Sequence, residues 1–508
     1  MAPPRWLALI LTLLLGAAAP AALPPPPADL VDWPMKWSPD DPGALSADNL
    51  IDKPAAKNGP ITIRDAHFYS GDARVRFWGV NFAFSANFPT HEQADAVAHR
   101  LPRFGINAVR FHHMDNQPFP NGIFADQSLE ALSPEALDRL DYFIAALKQN
   151  GVYADINLHV SRSYQHYHRT ADGTDGPRVD KIVDLFDPDL IAAQKKYASD
   201  LLRHTNAYTH ARYAEESAVA VVEINNENSL FMWGARESLA NLAEPYAAEL
   251  KRQWNGWLLS RYGSRQKLQS AWSPLEEPLG DNILRDGDFI TLQPDHRTNG
   301  WNSEIQGSAM MSATFDRSGA GDGKARGAII NISAVDGTNW HLQLTQPGLQ
   351  LIKGRAYTVM LWARADKPMS MSVSVSEAHA PWQVLGLSAP VALQKTLQVY
   401  TLPFTAMASD DNARLCFAVG HETGTIYIPH VELKRGGRFG LRAEEDPGKD
   451  SVMVESPSQS VTPRRSADWI EFLQQTEEKY YTGMREFLQK DVGVKCPITG
   501  TIGFGPLS

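Results

Sequence analysis

Between Val75 and Glu227 four apolar, β-branched runs alternate with amphipathic stretches, and every run turns polar at its carboxyl end. The runs occupy residues 75–82, 106–113, 152–159 and 218–227. The stretches between them carry helix signals. Thr90 precedes a face of Ala94, Val97, Ala98 and Leu101; Ser133-Pro134-Glu135 opens a face of Leu137, Leu140, Phe143, Ile144 and Leu147; a third lies near residues 190–202. Strand and helix alternating on this scale predict a parallel sheet with right-handed crossovers, most simply a (β/α)8 barrel.

The polar strand ends are Asn81; Arg110 with His112 and His113; Asp155, Asn157 and His159; and Asn225, Asn226 and Glu227. In a barrel they share one face, so they would line a single cavity. A doubly wound sheet also gathers strand ends, but no Gly-rich phosphate turn follows any of these strands. The run Val221-Val222-Glu223-Ile224-Asn225-Asn226-Glu227-Asn228 is the densest of them. A carboxyl at its end suits proton transfer to a glycosidic oxygen, and the neighbouring amide suits a sugar hydroxyl. Read alone, Glu227 equally suits a cap on the next helix.

The remaining candidates each carry two readings. Side chains alternate along a strand, so His112 and His113 are expected to point apart, and each reads either as a substrate contact or as a structural histidine. His159 shares its parity with Asp155 and Asn157, which favours the cavity. A zinc held by His112, His113 and His159 is a further option, without a helical HExxH pair behind it. Glu223 shares the parity of Glu227 but lies deeper, which predicts a buried, hydrogen-bonded carboxylate. Trp233, in Phe231-Met232-Trp233, fits either stacking on a sugar or core packing.

With 508 residues the chain exceeds one core and predicts more than one domain. Its net charge of −10 without a basic block argues against nucleic acid and is compatible with a neutral substrate. Cys416 and Cys496 form neither a disulfide framework nor a metal site. Residues 1–22 read as an export signal: Arg5, an apolar stretch at 6–15, and small residues at 17–22 with a cut after Ala21, which predicts a secreted or periplasmic protein. The apolar stretch is too short for a comfortable membrane span and no later one reaches about 20 residues, so no membrane partner is expected. Pro24 to Pro27 begin a stiff lead-in, and residues 23–74 hold that lead-in and a small hairpin.

Near Asp281 the pattern changes to short alternating strands, with helical periodicity absent until after Gly436, which predicts an all-β jelly-roll sandwich over residues 281–436. A helix from Ser466 and a strand at residues 494–501 then resume the α/β pattern. The expected organisation is a first half-barrel at 75–280, the inserted sandwich, and a barrel continuation at 437–508, with about five of eight strands present.

The motifs FWGVN, GINAVRFHH, INLH and VVEINNEN, with WNGWLLSRYGS and LQSAW after them, resemble a clan A glycoside hydrolase of the family 5, cellulase- or mannanase-like kind. That resemblance implies Glu227 as the acid/base, Asn226 on the sugar 2-hydroxyl, and Arg110 beside a nucleophile. It also implies Asn81, His112, His113, His159 and Trp233 around the substrate. The sandwich is similar to carbohydrate-binding modules of the family 4/9 kind through NILRDGDF, GWNSE, TNWHLQL, GRAYTVMLWARAD and IYIPHVEL. Trp340 and Trp382 are its candidate sugar-stacking residues, or else core tryptophans. Such modules often hold structural calcium near the first and last strands, but Pro429-His430 stands where an acidic pair is usual, so no cofactor is expected.

The family's nucleophile ends a seventh strand, which these residues do not include, and five strands leave an open sheet edge. The expectation is therefore a truncated retaining hydrolase of β-linked poly- or oligosaccharides, the alternative being a noncatalytic carbohydrate-binding protein. Sugar identity, exo or endo action and oligomeric state are not encoded in these patterns.

Overall fold

The computed structural model describes residues 46–168, 173–290, 300–316, 327–457 and 459–501. The expected export signal and proline lead-in lie outside the described residues.

A small antiparallel sheet comes first, from β1 (Ile61–Arg64), β2 (His67–Ser70) and β3 (Ala73–Val75). The parallel sheet follows with β4 (Gly79–Ala83), β5 (Ala108–His112), β6 (Tyr153–His159) and β7 (Val219–Asn225). Three helices cross between these strands: α1 (His91–Arg100), α2 (Pro134–Gln149) and α3 (Pro188–Leu202). Each begins where its cap chemistry dictates. Thr90 and Gln93 make a reciprocal capping box, while Ser133 and Asp187 accept backbone N–H groups ahead of Pro134 and Pro188. Their apolar faces, with Leu140, Phe143 and Leu201, cover one side of the sheet together with Val109, Ile156 and Val222.

The expected strand at 75–82 is two strands. Asn107 accepts from the Trp78 N–H through Oδ1 (2.8 Å) and donates to the Arg76 carbonyl through Nδ2 (2.8 Å). That side chain takes the place of a partner strand between Val75, which pairs in the small sheet, and Gly79, which pairs with Ala108.

After β7 come α4 (Ala235–Ala240), α5 (Tyr246–Tyr262) and α6 (Arg265–Trp272), and then the sandwich. Its strands are β8 (Asn302–Ile305), β9 (Met310–Asp316), β10 (Gly327–Ala334), β11 (Leu342–Leu351), β12 (Ala356–Ala365), β13 (Met369–Glu377), β14 (Val384–Leu393), β15 (Gln398–Thr405), β16 (Asp410–Ala418) and β17 (Gly424–Arg435). They form two five-stranded sheets, ordered β15-β12-β17-β10-β9 and β14-β13-β16-β11-β8. Between them lies a separate apolar core that includes Trp301, Leu361, Val373 and Phe417. The chain enters and leaves the sandwich through a paired neck, with bridges Glu277↔Arg438 and Asn282↔Lys434.

Beyond the neck, β18 (Arg438–Phe439) pairs with β19 (Ser460–Val461), and α7 (Pro463–Glu486) leads to β20 (Ile498–Thr499). Helix α7 starts three residues before the expected Ser466, because Pro463 supplies the preset φ of a first helical turn. Strand β20 is shorter than the expected run, with Ile498 and Thr499 paired in parallel to Val222 and Glu223. The parallel sheet is therefore ordered β20-β7-β6-β5-β4, and the sandwich interrupts the chain between its neighbours β7 and β20.

One buried ion pair fastens the segment after the neck to α7. Arg465 donates to both oxygens of Glu445 at 2.6 and 2.8 Å, and both side chains are buried. Arg465→Met should therefore cost about 3–5 kcal/mol in chemical denaturation, because it strands a buried carboxylate. A cost under about 1 kcal/mol would show the pair to be dispensable.

Candidate functional site

The carboxyl ends of β4 to β7 do converge, in layers fixed by register. Asn81 pairs with Arg110, Arg110 with Asp155, and Asn157 with Glu223, so these side chains share the face away from the helices. Arg110 is the hub. Its Nε donates to Glu223 Oε2 at 2.7 Å and its Nη2 to Asn226 Oδ1 at 3.0 Å, with Asn157 Oδ1 at 3.4 Å. Glu223 is thus the buried, bonded carboxylate that its depth predicts. Burial pushes its pKa up, and the Arg110 charge and bond oppose that.

Asp155 lies in the same layer as Arg110, beside a cavity of about 360 Å³ lined by Asn81, Ala108, Arg110 and Val221. Burial first, and then the charge of Glu223, raise its pKa to about 7. It faces the cavity below the Glu227 level, and its Oδ1 is buried with no hydrogen-bond partner among the described residues.

Glu227 stands two residues beyond the end of β7, at φ +49°, half-buried, in a left-handed turn. Its own carbonyl accepts from Lys181 Nζ at 3.0 Å. It caps no helix, since α4 is preceded by Gly234, which removes that alternative. Asn226 is buried, with its N–H on the His159 carbonyl (2.9 Å).

The two adjacent histidines do not point apart. His113 has left the strand at φ +55°, which breaks the alternation and brings its ring within 4.2 Å of His112. His112 Nδ1 lies 2.9 Å from Asn157 Oδ1, and His113 Nδ1 lies 3.0 Å from Ser161 Oγ. Phe84 stacks on the other side of His113 at 4.5 Å. Burial lowers both imidazole pKa values, with the charge of Arg110 adding to it in both, so both rings are neutral at pH 7.

His159 does not join this group. It is 3% exposed, with Asp115 Oδ2 at 3.0 Å from Nδ1 and Asp184 Oδ2 at 2.7 Å from Nε2. Both ring nitrogens are taken, so the expectation that it contacts substrate, or shares a zinc with His112 and His113, is corrected. Parity along β6 was a sound guide as far as Asn157. Beyond it, two buried carboxylates on neighbouring loops claim the ring. Asp115, Asp184 and Lys181 had no sequence signal of their own, since each lies outside any periodic run, Asp115 and Lys181 in loops and Asp184 in the single 3-10 turn Val183–Leu185. Trp233 is 73% exposed, which leaves stacking open and removes core packing, and Asn81 is exposed on β4.

In the sandwich, alternate residues of one sheet lie on the side away from the apolar core, where Gln343, Thr345, Ser376, Cys416 and Ala418 are themselves buried and Ser372, Ser374 and Arg414 are partly exposed. Gln343 and Thr345 on β11 pair with Ala418 and Cys416, which pair in turn with Ser372 and Ser374; Arg414 pairs with Ser376. Trp382 lies at one end of this polar face, its ring 4.8 Å from the Arg414 guanidinium. Trp340 lies at the other, its carbonyl accepting from Gln343 Nε2 at 2.6 Å. Both tryptophans are about half exposed, 51% and 52%, so neither is a core residue. Arg414 to Ala418 alone spans about 13 Å of strand. Near the ends of the first and last sandwich segments, His430 Nδ1 lies 2.6 Å from Asp288 and Nε2 3.5 Å from Glu432. An imidazole already engages those carboxylates, so these residues do not fit a calcium ion.

Residues 281–425 match the family model CBM_4_9, described as a carbohydrate binding domain. This supports a carbohydrate-binding module in the inserted sandwich. The solved structure described as "CBM4 structure and function" is similar at 24% identity over 30% of this chain and 98% of that one, with a TM-score of 0.25. An endo-1,4-beta-mannanase from Rhizomucor miehei is similar at 17% identity over 40% of this chain and 58% of that one, with a TM-score of 0.30. An endo-beta-1,4-mannanase from Thermotoga petrophila is similar at 21% identity over 36% of this chain and 40% of that one, with a TM-score of 0.24. No curated protein matches the chain.

The His159 cluster carries a pH signature. Burial alone would lower the imidazole pKa, but Asp115 and Asp184 outweigh it and hold it at about 10. Because the folded value exceeds the ordinary 6.5, its stabilisation is complete below about pH 6.5 and lost as pH rises through about 10. Urea unfolding from pH 6 to 10 should show stability declining across that window, and His159→Gln should flatten the decline. An unchanged slope in the variant would exclude the cluster as its source.

Proposed function

We propose that the chain belongs to an exported glycoside hydrolase acting on β-linked poly- or oligosaccharides, with its sandwich holding the glycan. Carbohydrate binding rests on the family match over residues 281–425 together with the polar face between Trp340 and Trp382. The hydrolase reading rests on one observation: Arg110 joins Glu223 and Asn226 at the carboxyl end of the parallel sheet, next to the half-buried carboxyl of Glu227. In this reading the sheet is part of a (β/α)8 barrel of the clan A, family 5 kind.

Glu227 protonates the leaving oxygen and then draws a proton from water. Asn226, oriented by Arg110, presents its amide to a hydroxyl of the sugar being cleaved. His112 and His113, both neutral, offer hydrogen-bond donors and acceptors without repelling the glycosyl cation that develops. Exposed Trp233 offers an apolar face to a neighbouring ring. Retaining cleavage needs a second carboxylate about 5–5.5 Å from the first, and no described residue is assigned to it. His159 serves the site from behind, through its carbonyl on Asn226. Export would remove residues 1–21, which mass analysis of the N-terminus after secretion tests directly.

The family match falls on the sandwich rather than on the parallel sheet, which favours a second reading, a noncatalytic glycan-binding protein. Two measurements separate them. In affinity electrophoresis against β-glucans, β-mannans and β-galactans, Trp340→Ala and Trp382→Ala should each weaken binding about tenfold, equivalent to about 1.4 kcal/mol. Unchanged retardation by every glycan would remove the sandwich as a binding face. In a chain extended to supply the second carboxylate, assayed on aryl β-glycosides and the same polymers, Glu227→Gln should lower turnover at least about a hundredfold. Glycan binding without any turnover, even by a chain extended to supply the second carboxylate, supports the second reading instead.

A further inference from the structure

Asn228 follows Glu227 directly, is 1% exposed, and has every polar group engaged by segments remote in sequence. Its Oδ1 accepts from the Ile182 N–H at 2.9 Å, and its Nδ2 donates to Asp184 Oδ1 at 2.8 Å. Its own N–H donates to Thr501 Oγ1 at 3.4 Å, and its carbonyl accepts from the Tyr481 hydroxyl at 2.8 Å. The far oxygen of Asp184 faces His159, so the clamp on Asn228 is anchored in the buried His159–Asp115 cluster.

The other side of Glu227 is gripped as well. The Asn226 N–H donates to the His159 carbonyl at 2.9 Å, and Lys181 Nζ donates to the carbonyl of Glu227 itself at 3.0 Å. Ile182 holds its N–H against Asn228 at φ +70°, a conformation that β-branched side chains disfavour. A surrounding structure must over-determine such a residue for it to persist. Four hydrogen bonds on a buried amide residue allow one orientation, and each bond lost leaves a buried polar group unsatisfied.

We propose that Asn228 is a positioning residue that fixes the left-handed turn at Glu227 and so sets where its carboxylate stands, with Asp184 and Ile182 as its clamp. The functional meaning rests on reading Glu227 as the acid/base group. Thr501 and Tyr481 lie after the sandwich, whereas Ile182 and Asp184 lie before it. The turn is therefore completed only when the chain segments flanking the inserted domain come together, and the loop after β6 gains direct mechanical purchase on the candidate acid/base.

The test is spectroscopic and needs no turnover. In the full chain labelled with 13C at the glutamate side-chain carboxyl, Glu227→Gln identifies the Glu227 resonance. Asn228→Asp keeps the volume but sets a carboxylate against Asp184; Asp184→Asn removes the charge and replaces one of the two acceptor oxygens with a donor. Each should displace or split that resonance. The double variant Asn228→Asp/Asp184→Asn exchanges donor and acceptor, and should return a single resonance at the original position and recover most of the lost Tm. The proposal is overturned if the folded single variants leave the resonance unmoved, or if the folded double variant fails to restore it. Should the single variants not fold, Lys181→Met removes the bond to the Glu227 carbonyl, and with it one positive charge, from a half-buried side chain. It is expected to displace the same resonance, and an unmoved resonance there also overturns the proposal. Failure of the hydrolase reading looks different: the resonance responds as described while a chain extended to supply the second carboxylate cleaves no glycan.

Discussion

The bond from Arg110 to Glu223 is the contact on which the candidate site depends. It reaches from β5 across β6 to β7, at 2.7 Å, with the carboxylate almost fully buried. Two charges taken out of water attract strongly but pay desolvation, so such a pair stabilises little by itself and is costly to break on one side. Its value lies in direction. A planar guanidinium fixed by Glu223 has only certain N–H vectors left, and one of them meets Asn226 Oδ1 at 3.0 Å. The amide of Asn226 is then oriented, with its donor side free of Arg110. A lysine at position 110 would supply the charge without that geometry.

A second buried charge system holds the loops above the sheet. His159 sits between Asp115 and Asp184, and Asp115 also accepts the N–H groups of Val160 and Arg162 at 2.9 and 3.2 Å. The two systems meet at consecutive residues: Arg110 holds the side chain of Asn226, and Asp184 holds the side chain of Asn228. Glu227 lies between, with its backbone constrained from both sides and its side chain the one left half-exposed. A carboxyl that must exchange protons with solvent and substrate needs such an arrangement, a rigid backbone under an open side chain.

Much of this was legible in the sequence because periodicity reports burial. The strands ending at Ala83, His112, His159 and Asn225 were legible as apolar runs since one face is covered by helices, and a helix-covered parallel strand must be apolar. Helix starts followed from Thr90 and Ser133, whereas the third helix was placed only near residues 190–202 and its cap, Asp187, emerges from the structure. What failed did so where side chains replace backbone periodicity. Asn107 ends the hairpin strand at Val75 by bonding the backbone of Arg76 and Trp78. His113 leaves the strand through a left-handed turn, and His159 is drawn aside by two loop aspartates. Asn228 stood within the most informative motif, yet its role depends on Ile182, Asp184, Tyr481 and Thr501, whose proximity no local pattern encodes.

The position of the sandwich adds a constraint that bears on function. An appended binding module on a flexible linker raises local glycan concentration but leaves its orientation free. This one is tied at both ends. Its entry and exit pair as Glu277↔Arg438 and Asn282↔Lys434, and Arg438 also bonds the Glu277 carboxylate at 2.7 Å. Past the neck, Arg465 binds Glu445 and the carbonyl of Gly440, which locks the exit segment to α7, the helix that carries Tyr481 to Asn228. In the proposed reading, a glycan held between Trp340 and Trp382 sits on a body whose attachment runs through a chain of buried bonds toward Glu227. The gain from such an arrangement comes from lost freedom rather than added contacts, so it depends on the stiffness of the neck as much as on the affinity of the sandwich.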